Sequence, residues 1–441
     1  MTRTPLEPSI HVSILTQFYP PDYAATGQLI EELAKCLQED GLKIQVFTGQ
    51  PSYAFRKENA TVIEKSGQLS VRRSGVTRFF PNRIRGKVIN GLLFVLRTAL
   101  HLLRLKNRGE ILLITTAPPF LPFLGYLANR LFQTPYICLL YDLYPDVAVQ
   151  LKVVSSENWL VKIWHFINRC TWEKAAGIIV PSAAMKERII AKYPEMNHKV
   201  FVIHNWANPA QIVPMPKENN RFALKHHLAK KFTVLYSGNL GRCHDAETIL
   251  AAAEQLRHEP IEFVFIGSGA KYQVCIDQVK QLGLQNCQFL PYQDRTDLPY
   301  SLTACDISLV SVSAGMEGLL APSKLYSALA AGRPIAAICE EQSYLRQLLA
   351  EAQCGAAFDN NDGVGLANFI RCLKSDRALA QKLGNAGREY LKTHFTPTLI
   401  AKQYAKILLQ TAQTIKASNT SDSSHDGSKQ LVNSVSQLKE P

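Results

Sequence analysis

The chain contains ten cysteines but no CxxC pair and no cluster of histidine with cysteine. That spacing speaks against a zinc site or a disulfide framework and predicts reduced, mostly buried thiols in a cytoplasmic protein. No secretory leader is expected, because the first ten residues are mostly polar and no apolar run follows a basic start. Nor does any run read as a membrane span. The most apolar stretch, Ile111 to Phe132, is broken by Pro118, Pro119 and Pro122 and reads as strand, loop and helix. There is no G-x-S-x-G elbow, and no two histidines have metal-ligand spacing, so His11, His204 and His244, near strand ends, read mostly as structural. The glycine fingerprint of a dinucleotide site is incomplete: after Gly267-Ser268-Gly269, Tyr272 stands where the third glycine would be. Acid is missing from one long segment. Between Val71 and Gly109 there is no Asp or Glu, against ten cations: Arg72, Arg73, Arg78, Arg83, Arg85, Lys87, Arg97, Arg104, Lys106 and Arg108.

What is present points to two α/β domains. The 441 residues, 46% hydrophobic, can bury more than one core. Short aliphatic runs at His11–Leu15, Lys43–Phe47, Ile111–Thr115, Tyr136–Leu140, Gly177–Val180 and Val200–Ile203 alternate with helical patterns such as Gly27–Gln38 and Trp159–Lys174. A second series follows at Phe232–Tyr236, Glu262–Ile266, Asn286–Leu290, Ile307–Val310, Pro334–Ile338 and Gly355–Phe358. Near-continuous apolar strands alternating with helices predict parallel sheets covered on both faces, here as two facing doubly wound, Rossmann-like domains. We place the first over residues 10–205 and the second over 206–387, with a polar, proline-containing stretch near Asn205–Asn219 between them. A helical pattern from Arg388 to Leu409 predicts a C-terminal element, 388–415, packing back across the junction. Residues 416–441, poor in apolar side chains, read as a disordered tail.

The formal net charge of +13 is concentrated in the acid-free segment. Within Val88 to Leu105, the residues Val88, Ile89, Leu92, Leu93, Leu96, Leu100 and Leu103 follow helical spacing, with cations towards the ends. This fits a basic amphipathic element over residues 71–109 lying on an anionic membrane surface; the alternative is an ordinary packed helix beside a solvated loop. Nucleic acid is disfavoured, since no recognised binding motif accompanies the charge. A cytoplasmic protein attached peripherally to the inner face of a membrane is the resulting expectation.

Five loops end strands, where ligands of open α/β sheets bind. The first, Phe18 to Gly27, carries a glycine just before a helix, for close approach of an anion or sugar, or simply for a turn. The second, Tyr141 to Asp146, presents two carboxylates; Asp142 suits a sugar hydroxyl or proton acceptance, against a structural turn. In the third, Gly238 and Gly241 free the backbone and Arg242 is placed to fork onto a diphosphate. The fourth is Gly267-Ser268-Gly269, and the fifth ends at Tyr292, where backbone and ring suit a flat base or a plain turn.

The stretch from Gly315 to Pro334 says most. Pro322 and Ser323 start a helix with serine at the N-cap, and Gly332 with Pro334 stops it. Lys324 then opposes the positive end of the helix dipole, at a cost of roughly a few tenths of a kcal/mol. A phosphate bound there removes that conflict; the alternative is a solvated surface lysine. No Asp-x-Asp pair exists to hold a metal against a phosphorylated substrate, so Lys324, Arg242 and the helix terminus would supply the positive charge, with no metal or other cofactor.

On these residues the chain resembles the two-domain GT-B glycosyltransferases, specifically glycosyltransferase family four. Within it, the chain is similar to the branch that builds surface polysaccharides, including the colanic-acid fucosyltransferase type. The carriers are the Tyr19-Pro-Pro loop with Gly27, Asp142-Leu-Tyr-Pro145, Ser237-Gly-Asn-Leu240, Gly267-Ser-Gly269, and Pro322-Ser-Lys-Leu-Tyr326 with Ala330-Ala-Gly-Arg-Pro334. The resemblance implies transfer of a hexosyl-type sugar from a nucleotide sugar, with retention of configuration, to a lipid-linked or polysaccharide acceptor. It places the acceptor on the first domain and the donor on the second. Lys324 and Arg242 would hold the diphosphate with Gly238, Asn239, Gly267, Ser268 and Ser323 around them, Tyr292 the base, and the Gly315–Gly318 backbone the sugar. Two departures stand out. The family's pair of glutamates eight positions apart matches Leu319 and Ser327 here, with Glu317 two places upstream to contact the donor sugar instead. Asn239 and His244 lie near the positions of its usual arginine–lysine pair. Two other classes stay open: a membrane-associated scaffold with a degenerate donor site, and a nucleotide-dependent oxidoreductase or epimerase.

Overall fold

The computed structural model describes residues 10–22, 24–51, 60–75 and 84–422. Of the expected basic element, Arg78 and Arg83 lie outside the described residues, as do the side chains of Arg85 and Lys87; so does the expected tail beyond Asp422. The chain forms two compact units. One contains residues 10–145, Ser155–Ile203 and the C-terminal residues from Ala401; the other contains Asp146–Val154 and His204–Ile400. The nine residues of the Asp146–Val154 segment join the second unit, which no sequence feature announced.

The first unit is built on eight strands: β1 (His11–Leu15), β2 (Lys43–Thr48), β3 (Ile63–Ser66), β4 (Leu69–Arg73), β5 (Ile111–Thr115), β6 (Tyr136–Leu139), β7 (Gly177–Val180) and β8 (Val200–Val202), in the order β3-β4-β2-β1-β5-β6-β7-β8. All neighbours are parallel except β3 and β4. The expected strands are present because they are apolar on both faces: all five residues of β5 are buried, as helix-covered parallel strands must be. The β3–β4 hairpin was missed. Every residue of β3 is exposed, so no alternation marks it, and its place is fixed by Arg73, buried and 2.6 Å from Glu64 Oε1.

That ion pair corrects part of the expected basic element, because residues 71–73 form a strand end and Arg73 is structural. Arg108 is likewise buried, 3.8 Å from the centroid of the Phe132 ring. The amphipathic helix itself is real and runs Ile84–Leu102. Phe94, Thr98 and His101 face inward, while Val88, Ile89, Leu92, Leu96 and Leu100 are all exposed. The neighbouring helix Pro122–Phe132 packs between it and the helix Trp159–Lys174. Those two also leave large apolar side chains in solvent, including Leu131 at 68%, Trp159 at 65% and Phe166 at 67% exposure. An ordinary packed helix would bury such a face.

The second unit has six strands, β9 (Phe232–Ser237), β10 (Ile261–Ile266), β11 (Cys287–Leu290), β12 (Ile307–Ser311), β13 (Ile335–Ile338) and β14 (Gly355–Phe358), all parallel in the order β11-β10-β9-β12-β13-β14. Its core joins Val234, Phe263 and Phe265 to Ile249, Ile338 and Ile370. From β9 the chain winds outward to β10 and β11, then crosses back to β12 on the other side. The order therefore reverses between β9 and β12, the kind of position beyond whose strand ends open α/β sheets bind ligands.

The helical pattern Arg388–Leu409 is not one helix. It divides into Arg377–His394 and Pro397–Asp422, because Pro397 lacks an amide proton and disfavours helix at the preceding residue. The second helix begins in the second unit and continues into the first. Among the described residues, no helix is long and apolar enough to cross a membrane.

Candidate functional site

Three loops meet at the β9–β12 switch point. The one after β9, Gly238–Asp245, is laced to the one after β10: Gly238 donates to the Ile266 carbonyl at 2.8 Å and Leu240 to the Ser268 carbonyl at 2.7 Å. Gly267 allows this closeness. With φ of +138°, a Cβ there would lie 2.2 Å from the Gly238 carbonyl oxygen, which no other residue tolerates. Gly238, with φ of +124°, leaves room of a different kind: its missing Cβ would sit 2.8 Å from Lys324 Cε. The stem of Lys324 thus crosses the bare backbone of Gly238.

Lys324 opens the helix Lys324–Ala330, which ends as expected with Gly332 at φ of +63°. The start differs from expectation. Ser323 has helical backbone angles and its side chain caps nothing, and a helix of seven residues develops little dipole. The lysine, more than the helix end, is the source of positive charge. Lys324 is half-buried, not a solvated surface residue. Its Nζ lies 2.8 Å from His244 Nε2 and 5.2 Å from the Tyr236 ring centroid. Burial pushes its ammonium down to about 7. His244 is pushed well below its ordinary value by burial, then by Lys324 and Lys271. Both shifts disfavour charge where, among the described residues, no carboxylate pairs with either group, a pattern common at functional sites.

In the ligand-free geometry it is His244, not Arg242, that contacts Lys324. Arg242 is exposed, two residues short of the contact. The available signal was the family position of His244, near a usual lysine. Its loop is held firmly: Lys271 Nζ donates to the His244 carbonyl at 2.8 Å, and Ser313 to the Cys243 carbonyl at 2.9 Å. Asp245 accepts from the Thr248 amide and hydroxyl and from Asn360.

The remaining residues expected on the donor side lie in the same unit. Asn239 accepts from the Tyr236 hydroxyl at 3.1 Å, and the Ser268 side chain is exposed. Tyr292, half-buried, acts electrostatically on Tyr236. Gly315 and Gly318 take φ of +79° and +71° in the loop after β12. Between them Glu317 is buried, its backbone bridging Leu320; burial above all, with a smaller contribution from the Glu317 charge, raises the nearby Tyr344 hydroxyl and Cys339 thiol. It is not a solvated loop glutamate. At the two family glutamate positions, Leu319 is buried and the Ser327 hydroxyl is spent on the Lys324 carbonyl at 3.0 Å.

Gly27 and Asp142 lie in the first unit. The space a Cβ would take at Gly27 is filled by the backbone of Phe18 and Tyr19 at 3.0 Å; the close approach is the chain's own loop. Asp142 follows β6, half-buried, and burial raises its carboxyl to about 6. The Asn168 amide steadies this loop by donating to the Tyr144 carbonyl at 2.6 Å. Among the described residues, no group of three or more His, Cys, Asp or Glu side chains is placed to hold a metal.

Comparison with known proteins agrees with this layout. Residues 26–211 match the family model Glycosyltransferase Family 4, and residues 217–390 match Glycosyl transferases group 1. A probable glycosyltransferase, WbjE of Pseudomonas aeruginosa, is 27% identical over 335 residues, 74% of this chain and 82% of that protein. The putative colanic acid biosynthesis glycosyl transferase WcaI of Escherichia coli K12 is 32% identical over 170 residues, 38% of this chain and 41% of that one. Among solved structures, a sucrose-phosphate synthase of Thermosynechococcus elongatus superposes with a TM-score of 0.71 at 18% identity, covering 92% of this chain and all of that one. Anabaena HepE, solved with UDP-glucose, gives 0.65 at 15% identity, over 92% and 100% of the two chains. The architecture is GT-B.

The lysine has a measurable cost. Its folded value of about 7 lies below the roughly 10.4 of an unfolded chain, so the unfolded state binds more protons between those limits and stability rises with pH there. Thermal unfolding of the ligand-free protein is expected to show this rise from pH 7 to pH 9, and Lys324→Met to lack it while being more stable at pH 7. Identical pH profiles for the two proteins would contradict the assignment.

Proposed function

Because the chain belongs to glycosyltransferase family four, we propose that it moves a hexosyl sugar, with retention of configuration, from a nucleotide sugar to a lipid-linked or polysaccharide acceptor. The observation that carries the donor half is Lys324, its stem laid over Gly238 and its ammonium without an acidic partner among the described residues. A diphosphate supplies the missing negative charge. As the nucleoside diphosphate departs, charge builds on its terminal phosphate, and a preorganised cation in a poorly solvated recess stabilises that charge strongly. Arg242, exposed at the recess, is positioned to close on the diphosphate once it is present. Glu317 and the Gly315–Gly318 backbone are the proposed contacts of the donor sugar, and Tyr292 that of the base. That HepE was solved with UDP-glucose supports a nucleotide-sugar donor.

Asp142 is the proposed proton acceptor for the acceptor hydroxyl. At about 6 it is mostly ionised at pH 7 yet basic enough to take a proton. No metal enters this account, since fixed cations do the work that a metal bound by an Asp-x-Asp pair would do. Family membership supports retention.

The acceptor half rests on the first unit's outer face. The exposed leucines of Ile84–Leu102 continue into Leu103 and Leu105, beside exposed Arg104 and Lys106, with Arg130 exposed on the next helix. Apolar residues ringed by cations suit the interface of an anionic bilayer, where a lipid-linked acceptor resides. We therefore infer peripheral attachment at a cytoplasmic membrane face.

Turnover with a panel of nucleotide sugars is expected to fall by roughly two or more orders of magnitude in Lys324→Ala with the fold intact; near-normal turnover would refute the phosphate role. Chelation by EDTA is expected to leave wild-type turnover unchanged, and loss of activity restored by a divalent cation would overturn the metal-free account. Sedimentation with vesicles is expected to show binding to phosphatidylglycerol-containing membranes, weaker in high salt, and strongly reduced in the double substitution Leu92→Glu with Leu96→Glu. Binding unaffected by these changes would remove this face from the account.

A further inference from the structure

The contact between Lys324 and His244 contains an arithmetic of protons. An ammonium has no lone pair, so a 2.8 Å approach of Nζ to Nε2 requires one of the two groups to be neutral. The pair therefore holds at least one proton fewer than it could carry. Everything charged that faces His244 works to keep that proton away. Lys324 faces it from the helix that it opens, and Lys271 from the segment before β10's following helix, with Glu247 neutralising Lys271 at 2.9 Å. Exposed Arg242 shares its loop. Tyr236 presents a neutral ring at 6.2 Å, and the Asp245 carboxylate is turned to Thr248 and Asn360. His244 Nδ1 is shielded from solvent with no hydrogen-bond partner. Such a group is costly to leave unpaired, and the backbone on either side of it is held by Lys271, Ser313, Thr248 and Asn360.

We propose that His244 takes up a proton when the donor's diphosphate binds and releases it when the nucleoside diphosphate leaves, so that it and Lys324 form a two-cation clamp only while phosphate is present. This rests on the donor-site reading above. The bookkeeping is simple: a solvent proton adds to Nε2, which changes from acceptor to donor, a further one restores the ammonium wherever the lysine is neutral in the free protein, and the lysine turns its own hydrogen bond to a phosphate oxygen. No other bond forms or breaks. His244 is thus a positioning residue with a conditional charge, standing where a permanent cation would bind phosphate at any pH. Donor affinity then falls as pH rises, approaching tenfold per pH unit where the free ring is neutral and the bound ring is charged.

The decisive readout is the protonation state of the ring. The full chain, labelled with ¹⁵N-histidine, is examined at pH 7.5 with UDP-, GDP- and ADP-glucose, whose diphosphates do not titrate near neutrality. The His244 signals are identified by their loss in His244→Gln. An imidazole in the free protein that becomes imidazolium with a bound nucleotide sugar establishes the proposal. The same ligands are expected to bind His244→Gln at least tenfold more weakly at pH 6.5, and His244→Lys with a shallower fall than wild type between pH 6.5 and 8.5. A nucleotide sugar that binds wild type while the ring stays neutral overturns this inference and leaves the donor site standing. If none of the three binds wild type at any pH, the donor-site reading fails, and this proposal with it.

Discussion

Two basic groups meet without an acid between them among the described residues, and the proposed donor site follows from that constraint. A buried ammonium is tolerated when something negative arrives to meet it. The sheet provides the recess by reversing its strand order beside β9, so that the loops after β9, β10 and β12 converge where no strand continues. The glycines at 238 and 267 then bring two of those loops within hydrogen-bonding distance and clear a path for the lysine stem. Ser313 ties the third loop, after β12, to the histidine loop, which Lys271 and Asp245 also hold.

The first unit meets a different constraint. Its outer helices leave leucines, a tryptophan and a phenylalanine in solvent, a state that a water-facing protein surface does not favour. Arg73 and Arg108, which the composition alone would have counted as part of a basic patch, are consumed inside the fold. The cations left on the surface, Arg104, Lys106 and Arg130, are those that flank the apolar face.

The sheet strands were legible wherever burial on both faces produced a continuous apolar run, as in Ile111–Thr115. The wholly exposed Ile63–Ser66 strand gave no such signal, being held by its neighbour and one ion pair. Pro397 was visible in the sequence, yet the apolar spacing on either side of it hid the break between two helices. At the site, Lys324 and the glycines could be read from local pattern. Its partner could not. His244 and Lys324 are 80 positions apart, and a neighbour in space across that separation is a product of topology. Arg242, the nearer cation in the same loop, was the natural choice from spacing alone, but the turn that aims His244 inward leaves Arg242 outside.

A crystal structure of the protein with a nucleoside diphosphate tests the central claim most directly. The account requires phosphate oxygens within hydrogen-bonding distance of both Lys324 Nζ and His244 Nε2, with the contact between those two nitrogens lengthened. A diphosphate seated elsewhere on the second unit, beside an undisturbed 2.8 Å pair, would contradict it.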